Sequence, residues 1–258
     1  MNLSIENKSF LVCGAASGFG RAIAEALLAE GANVIVTARR EAELKKIAQI
    51  APERVQIVVA DLFKEKDQDN LLNQIDLSSL SGAVINAGGP PAKSFLETEM
   101  EDWDSAYTSL VKWKVRLTKK IIPAFIANKY GKMVFVESKS VKQPVENLVL
   151  SNSMRMAIVG MVKTLSQEVA HHGITMNIMA PGYHDTPAMQ RIFEKKASVN
   201  TISVAEARKS IESEIAMGKM GDAKDFAQMA LLLLSPSSNF INGQTISVEG
   251  GLIKGAFG

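Results

Sequence analysis

The stretch "SFLVCGAASGFGRAIAEALLAEG", residues 9–31, decides how the rest of the chain is read. "SFLVC" (9–13) is a short apolar run of strand type. "RAIAEALLAEG" (21–31) has helical spacing and closes on a glycine suited to a helix C-terminus. Between them, "CGAASGFG" sets Gly14, Gly18 and Gly20 in a GxxxGxG spacing. Glycine permits a sharp strand-to-helix turn and lets the backbone approach a ligand closely. The helix that follows points free N–H groups and its positive dipole end into that turn. Strand, glycine turn and helix in this order suit a pyrophosphate; the other reading is a glycine-rich turn that binds nothing.

The alternation continues outward. "NVIVT" (33–37), "VQIVV" (55–59), "GAVIN" (82–86), "KMVFV" (132–136), "TMNIM" (175–179) and "QTISV" (244–248) read as further strands. Their near-continuous apolar character predicts burial on both faces, as in a parallel sheet covered by helices. "EAELKKIAQI" (41–50) and "DWDSAYTSLVKWKVRLTKKIIPAFIANKYG" (102–131) have helical spacing, and Pro123 is expected to kink or interrupt the second. These elements predict an α/β fold: a Rossmann-type, doubly wound parallel sheet of about seven strands flanked by helices. No linker, repeat or low-complexity tract divides the 258 residues, which predicts a single dinucleotide-binding domain. Two helical segments, 188–196 and 204–221, form an insertion at about 187–220 that is expected to act as a substrate lid.

Composition narrows the classes further. Apolar residues at 47% and charged residues at 22% are an ordinary globular balance. A net charge of +2 gives no ground for a nucleic-acid or membrane-surface partner. No apolar run reaches the length of a membrane span. Cys13 is the single cysteine, so no internal disulfide can form, and the N-terminal "MNLSIENKSF" lacks the layout of a secretory signal. A cytoplasmic protein is the expectation. No cluster of side chains has metal-ligand spacing, and no catalytic metal is predicted.

With "INAGG" (85–89), "APGYHDT" (180–186) and "NGQTISVEGG" (242–251) added to "GAASGFG", the chain resembles the short-chain dehydrogenase/reductase family, in its 3-oxoacyl-carrier-protein reductase-like branch. The resemblance covers essentially the whole chain. It implies a nicotinamide cofactor, with Gly14, Ser17, Gly18, Phe19 and Gly20 along the diphosphate. Asp61 and Leu62 would border the adenine, and Asn86, Ala87 and Gly88 its ribose. Pro181, Gly182 and Thr186 would hold the nicotinamide end. It also implies a homodimer or homotetramer built through the large helices, and a small-molecule carbonyl or alcohol substrate.

Cofactor choice is read from "VIVTARR" (34–40). NAD-preferring relatives place an acidic residue there to accept from the ribose 2′-hydroxyl. This chain has Ala38, then Arg39 and Arg40, and a guanidinium can grip a 2′-phosphate with paired hydrogen bonds. NADP(H) is therefore favoured over NAD(H), although a pair of solvated arginines at a helix start would look the same.

The reaction centre departs from the family pattern of asparagine, serine, tyrosine and lysine. Its serine is matched by Ser138 in "VFVESKSVKQP" (134–144). The usual spacing then leads to Ser151 for the tyrosine, Arg155 for the lysine and Leu110 for the asparagine. A serine hydroxyl is a far weaker acid than a phenol, and arginine stays protonated. Residues 151 and 155 stand one helical turn apart on the same side, so they could orient a carbonyl together. Lys139, Lys142, Tyr183 and His184 are the other proton donors within reach in sequence. Two functions remain open: an NADP(H)-dependent oxidoreductase with an atypical proton transfer through Ser138, Ser151 and Arg155, or a cofactor-binding sensor or partner subunit without turnover.

Overall fold

The computed structural model describes residues 2–256. Seven parallel strands form one sheet: β1 (Ser9–Cys13), β2 (Asn33–Ala38), β3 (Val55–Val59), β4 (Leu80–Asn86), β5 (Gly131–Val136), β6 (Ile174–Pro181) and β7 (Thr245–Val248). Their order is β3-β2-β1-β4-β5-β6-β7. Every residue of β5 and β6 is buried, which is why these segments are apolar without alternation. The expected strands all form, with ends within two residues of the reading.

Helices cover both faces. Phe10 and Val12 of β1 point into a core shared with α1 (Gly18–Ala29), α2 (Glu41–Ala48) and α9 (Ala223–Leu234). Leu11 and Cys13 point the opposite way, into a core with α3 (Glu65–Gln74), α5 (Trp113–Asn128) and α6 (Val149–Val169). This one-in-two alternation within a five-residue strand is what divides the apolar residues between two layers.

The segment expected to be kinked or interrupted at Pro123 is not interrupted there. α4 (Met100–Tyr107) passes through a π-helical turn at Thr108–Lys112 into α5, and α5 runs on through Pro123 to Asn128. Pro123 and Lys119 are both exposed, so the Lys119 carbonyl that loses its intrahelical N–H partner has solvent beside it. The irregularity falls earlier, in the wide turn that carries Leu110 and ends two residues before Lys114.

α7 (Pro187–Asn200) and α8 (Val204–Glu214) form the expected insertion between β6 and β7. They bury a small separate cluster of Met189, Phe193, Ile211, Ile215, Met220 and Leu252. No helix is long and apolar enough to cross a membrane among the described residues.

Candidate active site

Parallel pairing brings all strand C-termini to one edge, and the chain turns to opposite sides of the sheet on leaving β1 and β4. Ligands of open α/β sheets lie in the crevice above such a switch point. Gly14, Arg39–Arg40, Asp61–Leu62, Asn86–Gly88 and Pro181–Gly182 each follow or end a strand at this edge.

The β1–α1 corner is tightly packed and leaves backbone amides without partners among the described residues. Gly14 has φ +64°, and an added Cβ there would stand 2.7 Å from the Asn86 carbonyl oxygen and 2.8 Å from its side-chain nitrogen. Gly20 packs against the Gly14 carbonyl and the same Asn86 amide, so corner and β4 interlock. Asn86 Nδ2 donates to the Cys13 carbonyl at 3.4 Å, tying adjacent strands together. Ser17 is the N-cap of α1 but makes no side-chain cap, and the first turn holds no acidic residue. The first-turn amides are thus left for an external acceptor, the condition a diphosphate requires. Phe19 contributes backbone only: its ring packs inward on Phe226 at 4.2 Å and His184 at 5.0 Å.

A cavity of about 380 Å³ opens at this corner, lined among others by Ala16, Ser17, Gly18, Arg40, Thr186 and Pro187. Arg40 is exposed and donates from Nη2 to Ser17 Oγ at 3.1 Å, which brings its guanidinium to the glycine turn. Arg39 is exposed beside it. Thr186, the N-cap of α7, lies within 3.7 Å of where a Gly18 Cβ would stand. The residues present fit a dinucleotide: free helix amides for the diphosphate, a cation for an added phosphate and a hydroxyl on the facing wall. The Asp61 carboxylate accepts from the Phe63 amide at 3.3 Å, Leu62 is buried, and Ala87 and Gly88 follow β4 at the same edge of the sheet.

The centre of the crevice holds charge. Ser151 and Arg155 lie on the buried stripe of α6 that also carries Ile158 and Val162. Arg155 Nε donates to Ser151 Oγ at 3.1 Å, and Arg155 Nη1 donates to Glu137 Oε2 at 2.9 Å. Glu137 follows β5 directly, beside Ser138, and its other oxygen accepts from Lys114 Nζ at 2.5 Å. The side chains of Lys114 and Glu137 are wholly buried and that of Arg155 nearly so, at 7% exposure. Burial pushes the Lys114 ammonium below its usual range, opposed by the Glu137 carboxylate. Removing one partner of such a buried group is expected to cost about 3–5 kcal/mol. Ser138 stays half-buried as the N-cap of a short turn, its Oγ accepting from the Ser140 amide at 3.2 Å.

Lys114 and Glu137 were not singled out in the sequence. Leu110, where spacing placed the missing asparagine, is fully buried in the core, and Lys114 one turn further carries the polar group inward. Of the other donors, His184 is a packed histidine, 4% exposed against Phe19 and Phe226, with its pKa lowered by burial. Lys139 and Tyr183 line a second cavity of about 320 Å³ together with Glu146, Glu214 and Lys254. Lys139 Nζ stands 4.3 Å from the Tyr183 ring centre, and burial lowers the Lys139 pKa while raising that of the phenol. Cys13 is buried, and its thiol is pushed up to about 12 by desolvation. Among the described residues no group of three or more histidine, cysteine, aspartate or glutamate side chains is placed to hold a metal ion.

Comparison with known proteins agrees with this architecture. Residues 14–253 match a family model described as enoyl-(acyl carrier protein) reductase. The chain is 28% identical over 251 residues to a 3-oxoacyl-(acyl-carrier-protein) reductase of Rickettsia conorii, covering 97% of this chain and 99% of that one. It is similar to the L-sorbose reductase of Gluconobacter frateurii solved with NADPH and L-sorbose, at 25% identity and a TM-score of 0.92, covering 99% and 100% of the two chains. It is also similar to actinorhodin polyketide ketoreductase solved with NADPH, at 27% identity and a TM-score of 0.90, covering 95% and 97%. The chain belongs to the short-chain dehydrogenase/reductase family of nicotinamide-linked oxidoreductases.

Proposed function

We propose that this protein is an NADP(H)-dependent oxidoreductase that interconverts a carbonyl and a secondary alcohol with an atypical set of proton-handling side chains. The observation that carries the reading is the contact of Arg155 with Ser151 in a buried stripe, beside Glu137 and Ser138, under an anion-binding corner. Bound NADPH supplies hydride to the carbonyl carbon. Ser17, Gly18, Gly20 and Gly14 shape the diphosphate seat, and Arg40 with Arg39 meets the 2′-phosphate. Asp61, Leu62, Asn86, Ala87 and Gly88 flank the adenosine, and Pro181, Gly182 and Thr186 the nicotinamide. Relatives solved with NADPH support the phosphorylated cofactor. Ser138 and Ser151 donate hydrogen bonds to the substrate oxygen, Arg155 offsets the negative charge that develops there, and water reaching that oxygen supplies the proton that completes the alcohol. The cavity at Lys139 and Tyr183 receives the rest of the substrate, with α7 and α8 as its lid.

The exposed Met100, Tyr107 and Met156 on α4 and α6 are placed to join copies of the chain into a dimer or tetramer. The test of function is fluorescence titration of NADPH followed by its single-turnover oxidation across a panel of ketones and 3-oxo thioesters. NADPH binding with oxidation by at least one carbonyl is expected. Tight binding with no turnover on any of them would instead make the protein a cofactor-binding sensor or partner subunit.

A further inference from the structure

We propose that Glu137 and Lys114 are positioning residues, holding Arg155 against Ser151 so that the Ser151 hydroxyl proton is free to meet the substrate oxygen. The inference rests on the reading of Ser151 and Arg155 as substrate-facing groups. A serine hydroxyl has one proton to donate and two lone pairs to accept with, whereas a guanidinium only donates. Arg155 Nε occupies a lone pair of Ser151 Oγ at 3.1 Å, so the serine proton has no use within this pair. Hydrogen bonding to a cation also makes that proton the better donor.

A flexible arginine would not keep this contact unaided. Glu137 Oε2 takes Nη1 at 2.9 Å, and two anchors on one rigid plane fix its orientation. The remaining nitrogen, Nη2, lies 3.4 Å from where a Cβ on Gly89 would stand, so the plane reaches the turn after β4. Glu137 alone would neutralise Arg155. Lys114 holds the other carboxylate oxygen at 2.5 Å, so the carboxylate is fixed from both sides. Among the described residues Glu137 is the only carboxylate within 4.0 Å of either cation. The Cys13 thiol near Lys114 is neutral, its pKa pushed up to about 12. A buried trio of ionisable groups is a poor choice for stability alone, since apolar residues of similar volume stabilise as well. The Arg155 guanidinium lies beside Ser151, where negative charge gathers on the substrate oxygen.

The test uses Glu137→Gln, Lys114→Met and the double variant. Lys114→Met leaves Glu137 and Arg155 as a matched pair, whereas Glu137→Gln takes the carboxylate from both buried cations and can unfold the chain; the double change removes the Lys114–Glu137 contact as a unit and leaves Arg155 with Ser151 as its acceptor. The first readout is exchange with solvent of the Arg155 Nε–H proton by NMR, its signal identified by loss in Arg155→Lys. Wild-type protein is expected to protect this proton, and the double variant to exchange it at least about tenfold faster. The second readout is kcat against KM. The double variant is expected to keep KM for NADPH and to lose on the order of 10²-fold in kcat, the scale of a slightly misplaced reacting group. Undiminished protection, or kcat within about threefold of wild type, overturns the proposal. Absence of turnover in the wild type would remove the enzymatic reading, while proton exchange still decides whether Glu137 and Lys114 hold Arg155.

Discussion

Gly14→Ala and Gly88→Ala separate a glycine the fold requires from one it does not. At position 14 the backbone has φ +64°, where an L-residue costs about 1–2 kcal/mol. The new methyl would also stand 2.7 Å from the Asn86 carbonyl oxygen, which is backbone of a central strand and cannot swing aside. Overpacking of this kind adds about 1–3 kcal/mol. The sum, about 2–5 kcal/mol, corresponds to a fall in Tm of about 4–20 °C for a chain of this size. At position 88 a Cβ has nothing within 4 Å. Gly88→Ala is therefore expected to stay within about 0.5 kcal/mol of wild type. Thermal unfolding by circular dichroism measures both, and NADPH titration of the folded variants follows. Gly88→Ala is expected to weaken NADPH binding at unchanged Tm, because its methyl would enter the space read as the adenosine site. Equal Tm for Gly14→Ala and wild type would refute the interlock between the β1–α1 corner and Asn86.

Other expectations follow from single contacts. Arg40→Ala is expected to raise Kd for NADPH about tenfold while leaving NADH nearly unchanged, and an equal effect on both would remove Arg40 from the 2′-phosphate site. Ser151→Ala strips Arg155 Nε of its acceptor, costing about 1–3 kcal/mol of stability, and unaltered stability in chemical denaturation would contradict that contact. Cys13, fully buried with its thiol pushed up to about 12, is expected to react with a thiol reagent only after unfolding; rapid reaction of native protein at neutral pH would count against its packing. Lys132, buried at the start of β5 against Asn239 Oδ1 at 2.6 Å, has its ammonium pushed down from 10.5 to about 8. Between those values the unfolded chain binds the proton more tightly, so wild-type stability relative to Lys132→Met is expected to rise with pH across that window. A difference in Tm that stays flat from about pH 7.5 to about pH 10 would contradict it.

The layered sheet was legible because its central strands are apolar on both faces, while the edge strands β3 and β7, only partly buried, still carry enough β-branched residues to be placed to within two residues. The β1–α1 corner was legible for a local reason, since glycine spacing, strand and helix all lie within 23 consecutive residues, 9–31. Pro123 does not interrupt the helix because its cost depends on what surrounds the carbonyl it leaves unpaired, and here that carbonyl belongs to an exposed turn. The Lys114–Glu137 pair was hidden by its separation of 23 residues in the chain and by a π-helical turn that no spacing rule anticipates. One signal was available. Lys114 interrupts the otherwise apolar stripe Leu110–Leu117–Ile121, and Glu137 directly follows an apolar strand, so each pointed to a buried charge in need of the other.

Transfer of deuterium from NADPH labelled at C4 measures the central reading most directly. The account predicts a product alcohol carrying one deuterium on the former carbonyl carbon, seen by mass spectrometry and NMR, and a strong loss of that label in Ser151→Ala. A labelled cofactor that binds in the β1–α1 cavity yet passes no deuterium to any carbonyl offered would contradict it.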